Sequence, residues 1–331
     1  MQYKCIKKEA WDKTIEQLLL SYTIFACVEN EYGLDYELIR PADILKISYN
    51  KPKPVTPLKN FFLPVKENVT SDVSTDDKPT IILGIPNCDI KGLGLLDEIY
   101  LDKEYTDLTY RKRRDNTLLI ASDCFSIQEH CHCATYNIMP YIENGADLAI
   151  LNLDGTIFLR ILSVKGQEFV SNISALQSPV NFDFISSIEK EHHATKELLA
   201  KSNKGLTDYK ETGELITTQK DDIWKKHYSR CVSCGACTTI CPTCTCFLLI
   251  DKPGLEKVKQ MDTCQYPGFE RVAGGEDALS ELHNRFRNRF MCKYVWKPLK
   301  FSSLACTGCG RCIDACIGRI SKNEIFMELV K

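Results

Sequence analysis

The sequence lacks almost any net charge. Over 331 residues, 42 Lys and Arg stand against 44 Asp and Glu, a formal charge of −2. That balance supplies no long-range pull toward nucleic acid or an anionic membrane. Long apolar runs are also missing: nothing approaches the roughly 20 residues a membrane-spanning helix needs. The best candidate, Leu18 to Val28, is broken by Ser21, Tyr22 and Thr23. The opening MQYKCIKKEAWDK holds no apolar signal segment. Gly84 and Gly92-x-Gly94 do not make a GxGxxG fingerprint, and there is no phosphate-binding P-loop. No Ser/His/Asp nucleophile arrangement stands out. The expectation is a cytoplasmic chain with no membrane or nucleic-acid partner and no visible nicotinamide, flavin or substrate motif.

Cysteine is what the chain has in excess, with 18. In a small secreted chain they would make a disulfide framework, but at this length and without a leader they point to a reducing, low-oxygen cell. Cys231-x2-Cys234-x2-Cys237-x3-Cys241 is followed by Pro242, and Cys306-x2-Cys309-x2-Cys312-x3-Cys316 repeats the spacing. Three thiolates at steps of three wrap one iron–sulfur cube. The fourth starts a helix and, in two-cluster ferredoxins, ligates the other cube. On that rule Cys231, Cys234, Cys237 and Cys316 hold one [4Fe–4S] cluster, and Cys306, Cys309, Cys312 and Cys241 hold a second. A lone CxxC is common in zinc sites; two complete runs favour iron–sulfur. The second run has Ile317 where the first has Pro242, which alters the local turn and removes no ligand.

The chain is long enough for two or three domains. Residues 8–20 place Trp11, Ile15, Leu18 and Leu19 on one helical face. TIFACV, PTIILGI, NTLLIASD and DLAILNL read as short buried strands, and Asp154-Gly155 as a hairpin turn within Leu151–Ile161. Lys66–Lys78 reads as a mobile polar loop, Ile188–Leu199 as a charged helix and Lys201–Thr212 as a linker. Between Cys241 and Cys306 there is room for two or three helices. The expected fold is α+β: a mixed α/β domain over 1–205, then an α-helical two-cluster ferredoxin-like domain over 206–331.

A second constellation lies upstream. Cys88 follows PTIILGI, Cys124 follows NTLLIASD, and Cys131 and Cys133 come a few residues later. Two parallel strands ending side by side would bring the thiols to one sheet edge, where α/β sheets place ligands. A third [4Fe–4S] cluster is expected on Cys88, Cys124, Cys131 and Cys133. Asp89, Asp123 and Glu129 would add negative charge that lowers its potential. The alternatives are packing, since free Cys behaves as a small hydrophobe, and zinc with His130 or His132 contributing. Cys244, Cys246, Cys264 and Cys292 are left without a role, although CPTCTC is dense for packing; Cys5 and Cys27 read as core residues. Arg111–Arg114 reads as a solvated turn. Asn284–Phe290, alternating cation and aromatic, reads as a solvated or partner-docking helix.

These motifs form a pattern. SRCVSCGACTTICPTCTCFLLID, DTCQYPGFERVAGG, NRFRNRFMCKY and CTGCGRCIDAC resemble two related families. One is the A subunit of anaerobic sulfite reductase. The other is the β subunit of cytoplasmic sulfhydrogenases, which are soluble nickel–iron hydrogenases. The resemblance continues upstream through NCDIKGLGLLDEIYLDKEYTD and CHC. It implies an electron relay between a flavin subunit that oxidises NAD(P)H, or a ferredoxin oxidoreductase, and a terminal catalytic subunit, with no catalytic site in this chain. The other readings are a self-contained iron–sulfur reductase acting on a small or sulfur-containing substrate, and a zinc-organised interaction module.

Overall fold

The structure, a computed structural model, describes residues 2–331 apart from 71–77, 180–182, 208, 219–220 and 302–303. The first half runs β1 (Gln2–Lys7), α1 (Lys8–Leu18), β2 (Thr23–Asn30), β3 (Gly33–Leu38), β4 (Lys66–Asn68), β5 (Thr80–Ile85), α2 (Asn87–Tyr100), α3 (Leu108–Asp115), β6 (Thr117–Ser122), β7 (Leu148–Leu153), β8 (Thr156–Ile161) and α4 (Val164–Ser171). Seven of these strands form one mixed sheet in the order β1-β8-β7-β6-β5-β2-β3. The central β2, β5, β6 and β7 are parallel, and β3, β8 and β1 complete the edges antiparallel. The hairpin at Asp154-Gly155 joins β7 to β8.

Alternation along the central strands feeds two cores. Ile81, Leu83, Leu118, Ile120, Leu148 and Ile150 meet Trp11 and Ile15 on one face. Ile82, Ile85, Leu119, Ala121 and Ala149 meet Leu93, Leu96 and Tyr110 on the other. Because side chains alternate across a pleated strand, a strand covered on both faces reads as a continuous apolar run.

The second half is mainly helical: α5 (Asp183–Ser202), α6 (Tyr209–Thr218), α7 (Asp221–Tyr228), α8 (Ala236–Thr239), α9 (Leu282–Met291), α10 (Lys297–Lys300), α11 (Arg311–Asp314) and α12 (Lys322–Leu329). Between Cys241 and Cys306, where two or three helices are expected, the chain first makes a hairpin, β9 (Phe247–Lys252) with β10 (Glu256–Met261). A single helical rod then runs from α9 through a wider π turn at Cys292–Trp296 into α10. A core of Ile216, Trp224, Phe286, Phe290, Ile325 and Phe326 holds α6, α7, α9 and α12 together.

Four local expectations change. Lys66–Asn68, expected to be loop, is β4 and pairs antiparallel with β10; most of the remaining segment lies outside the described residues. Arg111–Arg114 belongs to α3, where Arg114 pairs with Asp97 at 2.9 Å and Arg113 pairs with Glu67. The Asn284–Phe290 helix is not solvated, because Arg285, Phe286, Arg289 and Phe290 are all buried. The expected linker from Lys201 is shortened by α5 and α6 at its two ends.

Candidate metal centres

Cys231, Cys234 and Cys237 line one cavity together with Cys316 and Cys312. The loop reaches this shape through left-handed Ser233 and Gly235, after which α8 begins. Burial raises the Cys237 thiol to about 11, against the pull of Arg289. The backbone N–H of Ile320 points at the Cys316 sulfur, 3.3 Å away. Amide donors aimed at sulfur are a feature of cluster ligation.

Cys306, Cys309 and Cys312 follow the same path, with α11 starting after left-handed Gly310. Their partner by the crossed rule, Cys241, is brought close by a polar knot. The Thr243 hydroxyl donates to Ala305 O at 2.6 Å and lies 3.3 Å from the Cys241 sulfur. Lys293 Nζ donates to both Thr243 Oγ1 (2.6 Å) and Ala305 O (2.7 Å). Burial works against charge at Lys293, but the thiolates of Cys241, Cys244 and Cys306 outweigh it and hold its pKa up. For Cys241 the hydrogen bond with Cys244 and the nearby cations hold the thiol well below its ordinary range. Burial opposes the charged form of Cys306, yet Lys322 and His132 bring it well down too.

Cys88, Cys124, Cys131 and Cys133 line one cavity. β5 and β6 run parallel; Cys88 falls in the first turn of α2 and Cys124 just beyond β6. The 139–142 segment fixes both ends. Asn87 Nδ2 donates to Met139 O and Tyr141 O, each at 2.9 Å. Cys124 N–H donates to Pro140 O at 2.8 Å. Gln128 N–H points at the Cys131 sulfur, 3.4 Å away. Burial, then the neighbouring Asp89 charge, pushes Cys88 well up; burial and Cys133 do the same for Cys124. Burial and Cys131 take Cys133 to about 12. Such thiols hold a proton unless a metal cation replaces it.

Two expectations for this set change. Two of its three acids, Asp89 and Asp123, are paired rather than free. Asp89 takes a bidentate pair from Arg311 at 2.5 and 2.8 Å, both residues fully buried. Asp123 faces Arg160 and accepts from His192 Nε2 at 2.8 Å. Neither histidine of the zinc alternative joins the four thiols. His130 faces Asp314, and His132 is held at Nδ1 by His130 O, with its ring interacting with Cys306.

The three sets are contiguous. Cys312 lines the Cys231 cavity and Cys309 lines the Cys88 cavity, so the Cys306 loop lies between them. His132 N–H donates to Gly308 O at 2.8 Å. A Cβ at left-handed Gly308 would strike the His132 carbonyl, and one at Gly310 that of His130. Only glycine permits that approach. Sequence reasoning missed the cations around these thiols. Lys59 donates to Thr238 O and Cys244 O, Arg289 to Cys237 O, and Lys322 to the Tyr136 hydroxyl. With Lys293 they are buried, and among the described residues none forms an ion pair with a carboxylate. A buried unpaired cation is costly, so their natural counter-charge is an anionic thiolate-bound group. Among the described residues no three or more His, Cys, Asp or Glu form a group placed to hold a single metal ion. The thiols ring cavities instead of converging on a point, an arrangement that suits a polynuclear cluster better than zinc. Among those residues no helix is long and apolar enough to cross a membrane.

Comparison with known proteins agrees with this donor chemistry. Residues 230–320 match the family described as 4Fe-4S dicluster domain. The protein named Sulfhydrogenase 2 subunit beta from Pyrococcus furiosus is 29% identical over 342 residues, covering 99% of this chain and 98% of the relative. No solved structure matches. The chain thus carries a stretch that matches the 4Fe-4S dicluster domain and is similar over nearly its whole length to a protein named as a sulfhydrogenase β subunit.

Proposed function

We propose that this chain is an iron–sulfur electron relay. Cys231, Cys234, Cys237 and Cys316 would hold one [4Fe–4S] cluster, Cys306, Cys309, Cys312 and Cys241 a second, and Cys88, Cys124, Cys131 and Cys133 a third. Bound there, the clusters supply one-electron redox chemistry. The carrying observation is that the middle set shares a cavity wall with each outer set. A wire needs that adjacency, and a set of independent structural metals does not. The chain's own residues position the thiols, shield the sites and balance their charge through Lys59, Arg289, Lys293 and Lys322.

The division at 205/206, with the C-terminal part as an α-helical ferredoxin-like unit, is part of the same reading. So are the partners: a flavin subunit using NAD(P)H, or a ferredoxin oxidoreductase, on one side, and a terminal subunit of hydrogenase or sulfite reductase type on the other, in the cytoplasm. The relative's name as a β subunit supports an assembly, and the missing nucleotide fingerprint supports an external electron source. The test uses the isolated full chain, prepared anaerobically. Absorbance that bleaches with dithionite, and NAD(P)H-dependent dye reduction only after a flavin reductase is added, is the expected result. Robust turnover with no partner would instead establish a self-contained reductase.

A further inference from the structure

One thiol of the three sets reaches solvent. Among the described residues Cys234 is the one exposed cysteine. It belongs to the first set, which ends the proposed wire because the middle set lies between it and the Cys88 set. Val232 lines the same cavity, and so do Cys316 and Gly318, the two neighbours of Ile317. Val232 and Ile317 are 62% and 70% exposed. Tyr266, 43% exposed, belongs to the same face: its hydroxyl lies 3.5 Å from Cys234 O, and a Cβ at left-handed Gly235 would strike its ring. Large apolar side chains thus stand in water beside the exposed thiol. An apolar patch of this kind, when rimmed by polar groups, marks an interaction site.

The rim here is basic. Residues 229–241 contain no Asp or Glu, and the only acid of 306–320 is Asp314, which Lys53 holds at 2.7 Å. Arg311 is likewise spent, buried on Asp89. That leaves Arg230 and Arg319, both exposed and lying together. Arg230 Nη1 donates to Arg319 O at 3.4 Å, and a Cβ at Gly318, the residue before Arg319, would strike Arg230 O. Among the described residues neither arginine forms an ion pair. Resting on the relay reading above, we propose that this face docks an acidic one-electron carrier protein. Its carboxylates would meet Arg230 and Arg319, its apolar centre would cover Val232, Ile317 and Tyr266, and its redox centre would sit over Cys234. One electron then leaves the carrier and enters the relay, so the carrier is oxidised by one and this chain reduced by one. Transient redox contacts are small and steered by opposite charge. A second copy of this chain fits less well, because meeting face to face it would set arginine against arginine.

Flavodoxin serves as the acidic probe and cytochrome c as a basic control. Calorimetry first measures binding of oxidised flavodoxin to the oxidised, iron-loaded full chain, so that no electron moves. Binding should weaken about tenfold between roughly 0.05 and 0.3 M salt, as screening of exposed charges requires. Arg230→Glu/Arg319→Glu should bind about tenfold more weakly than wild type at low salt and match it at high salt. Cytochrome c should not bind the wild type. Mixing with flavodoxin hydroquinone then reads electron transfer as the appearance of its blue semiquinone, at rates in the same order as the affinities. Binding that salt leaves unchanged, wild-type affinity in the charge-reversed variant at low salt, or equal binding of cytochrome c would overturn the proposal. Should that variant not fold, the wild-type salt series and Ile317→Glu, changed at an exposed side chain, decide: weakened flavodoxin binding supports the face and unchanged binding refutes it. Failure of the relay reading shows separately, as clusters that excess dithionite does not bleach, while the binding measurements still judge the docking face.

Discussion

Lys293 illustrates what individual residues contribute around these sites. It is buried, sits on the knot joining the Cys241 and Cys306 segments, and has no carboxylate partner among the described residues. Its ammonium offsets the negative charge that reduction adds, so removing it should make the proposed middle cluster harder to reduce. Lys293→Met is expected to lower that cluster's potential by on the order of 50 mV, close to the 59 mV that equals a tenfold one-electron shift. Lys293→Arg should keep most of the wild-type value. A redox titration followed by electron paramagnetic resonance reads both, and an unchanged potential in Lys293→Met would remove the charge-balancing role. At this scale the sequence is uneven. The cysteine spacing is legible because the chemistry of a cube dictates it. Nothing in the sequence marks which of the many lysines are buried, since that depends on contacts between distant segments. The Asn284–Phe290 stretch shows the same limit: its alternating cations look solvated, yet Arg285 and Arg289 turn inward.

At the scale of elements, the proposed crossing of ligands is the feature with most consequence. Cys316 follows α11 in sequence but lines the cavity of Cys231, Cys234 and Cys237. Cys316→Ser should therefore remove or alter the cluster of the first run and leave that of its own run. Spectroscopy of the variant checks this directly, and loss of the sequence-local cluster would reverse the assignment. The short strand β4 supplies a second case. Glu67 on β4 pairs with Lys259 on β10 at 3.1 Å and with Arg113 on α3. Burial works against its ionisation, but these two cations outweigh it and depress its pKa below the ordinary carboxyl range. A carboxyl whose folded pKa lies below its unfolded value of about 4.3 stabilises fully above that value, and the gain disappears as pH falls through the folded value. Glu67→Gln should cost about 2 kcal/mol at neutral pH, the scale of a charged hydrogen-bond pair. That difference should shrink below about pH 4, as denaturant unfolding of both proteins at several pH values would show. The strand itself escaped sequence reading because KEN is polar and only three residues long. Its pairing with β10 comes from a partner almost two hundred positions away.

For the whole molecule, the question is why a relay would keep a seven-stranded sheet. The sheet brings the ends of β5 and β6 together, and the loop beyond β6 then carries Cys131 and Cys133 against Gly308 in the middle set. The buried Asp89–Arg311 pair and the Lys53–Asp314 pair at 2.7 Å rivet the same junction from the two sides. The convergence of Cys88 and Cys124 was legible as two apolar runs each followed by a thiol. Which loop they would face was not, because that contact rests on glycines admitting a close backbone approach. If the N-terminal set holds a cluster, Cys124→Ala should lower the iron content of anaerobically prepared chain by about four atoms per chain. The signals of the two C-terminal clusters should persist, since their thiols lie on other segments. Because Cys124 is not part of the Asp89–Arg311 junction, the variant should stay folded, which near-ultraviolet circular dichroism would verify. An unchanged iron count in folded Cys124→Ala would reduce this set to packing. The wire would then run only between the two C-terminal centres, and the sheet would be left as a scaffold for docking rather than a path for electrons.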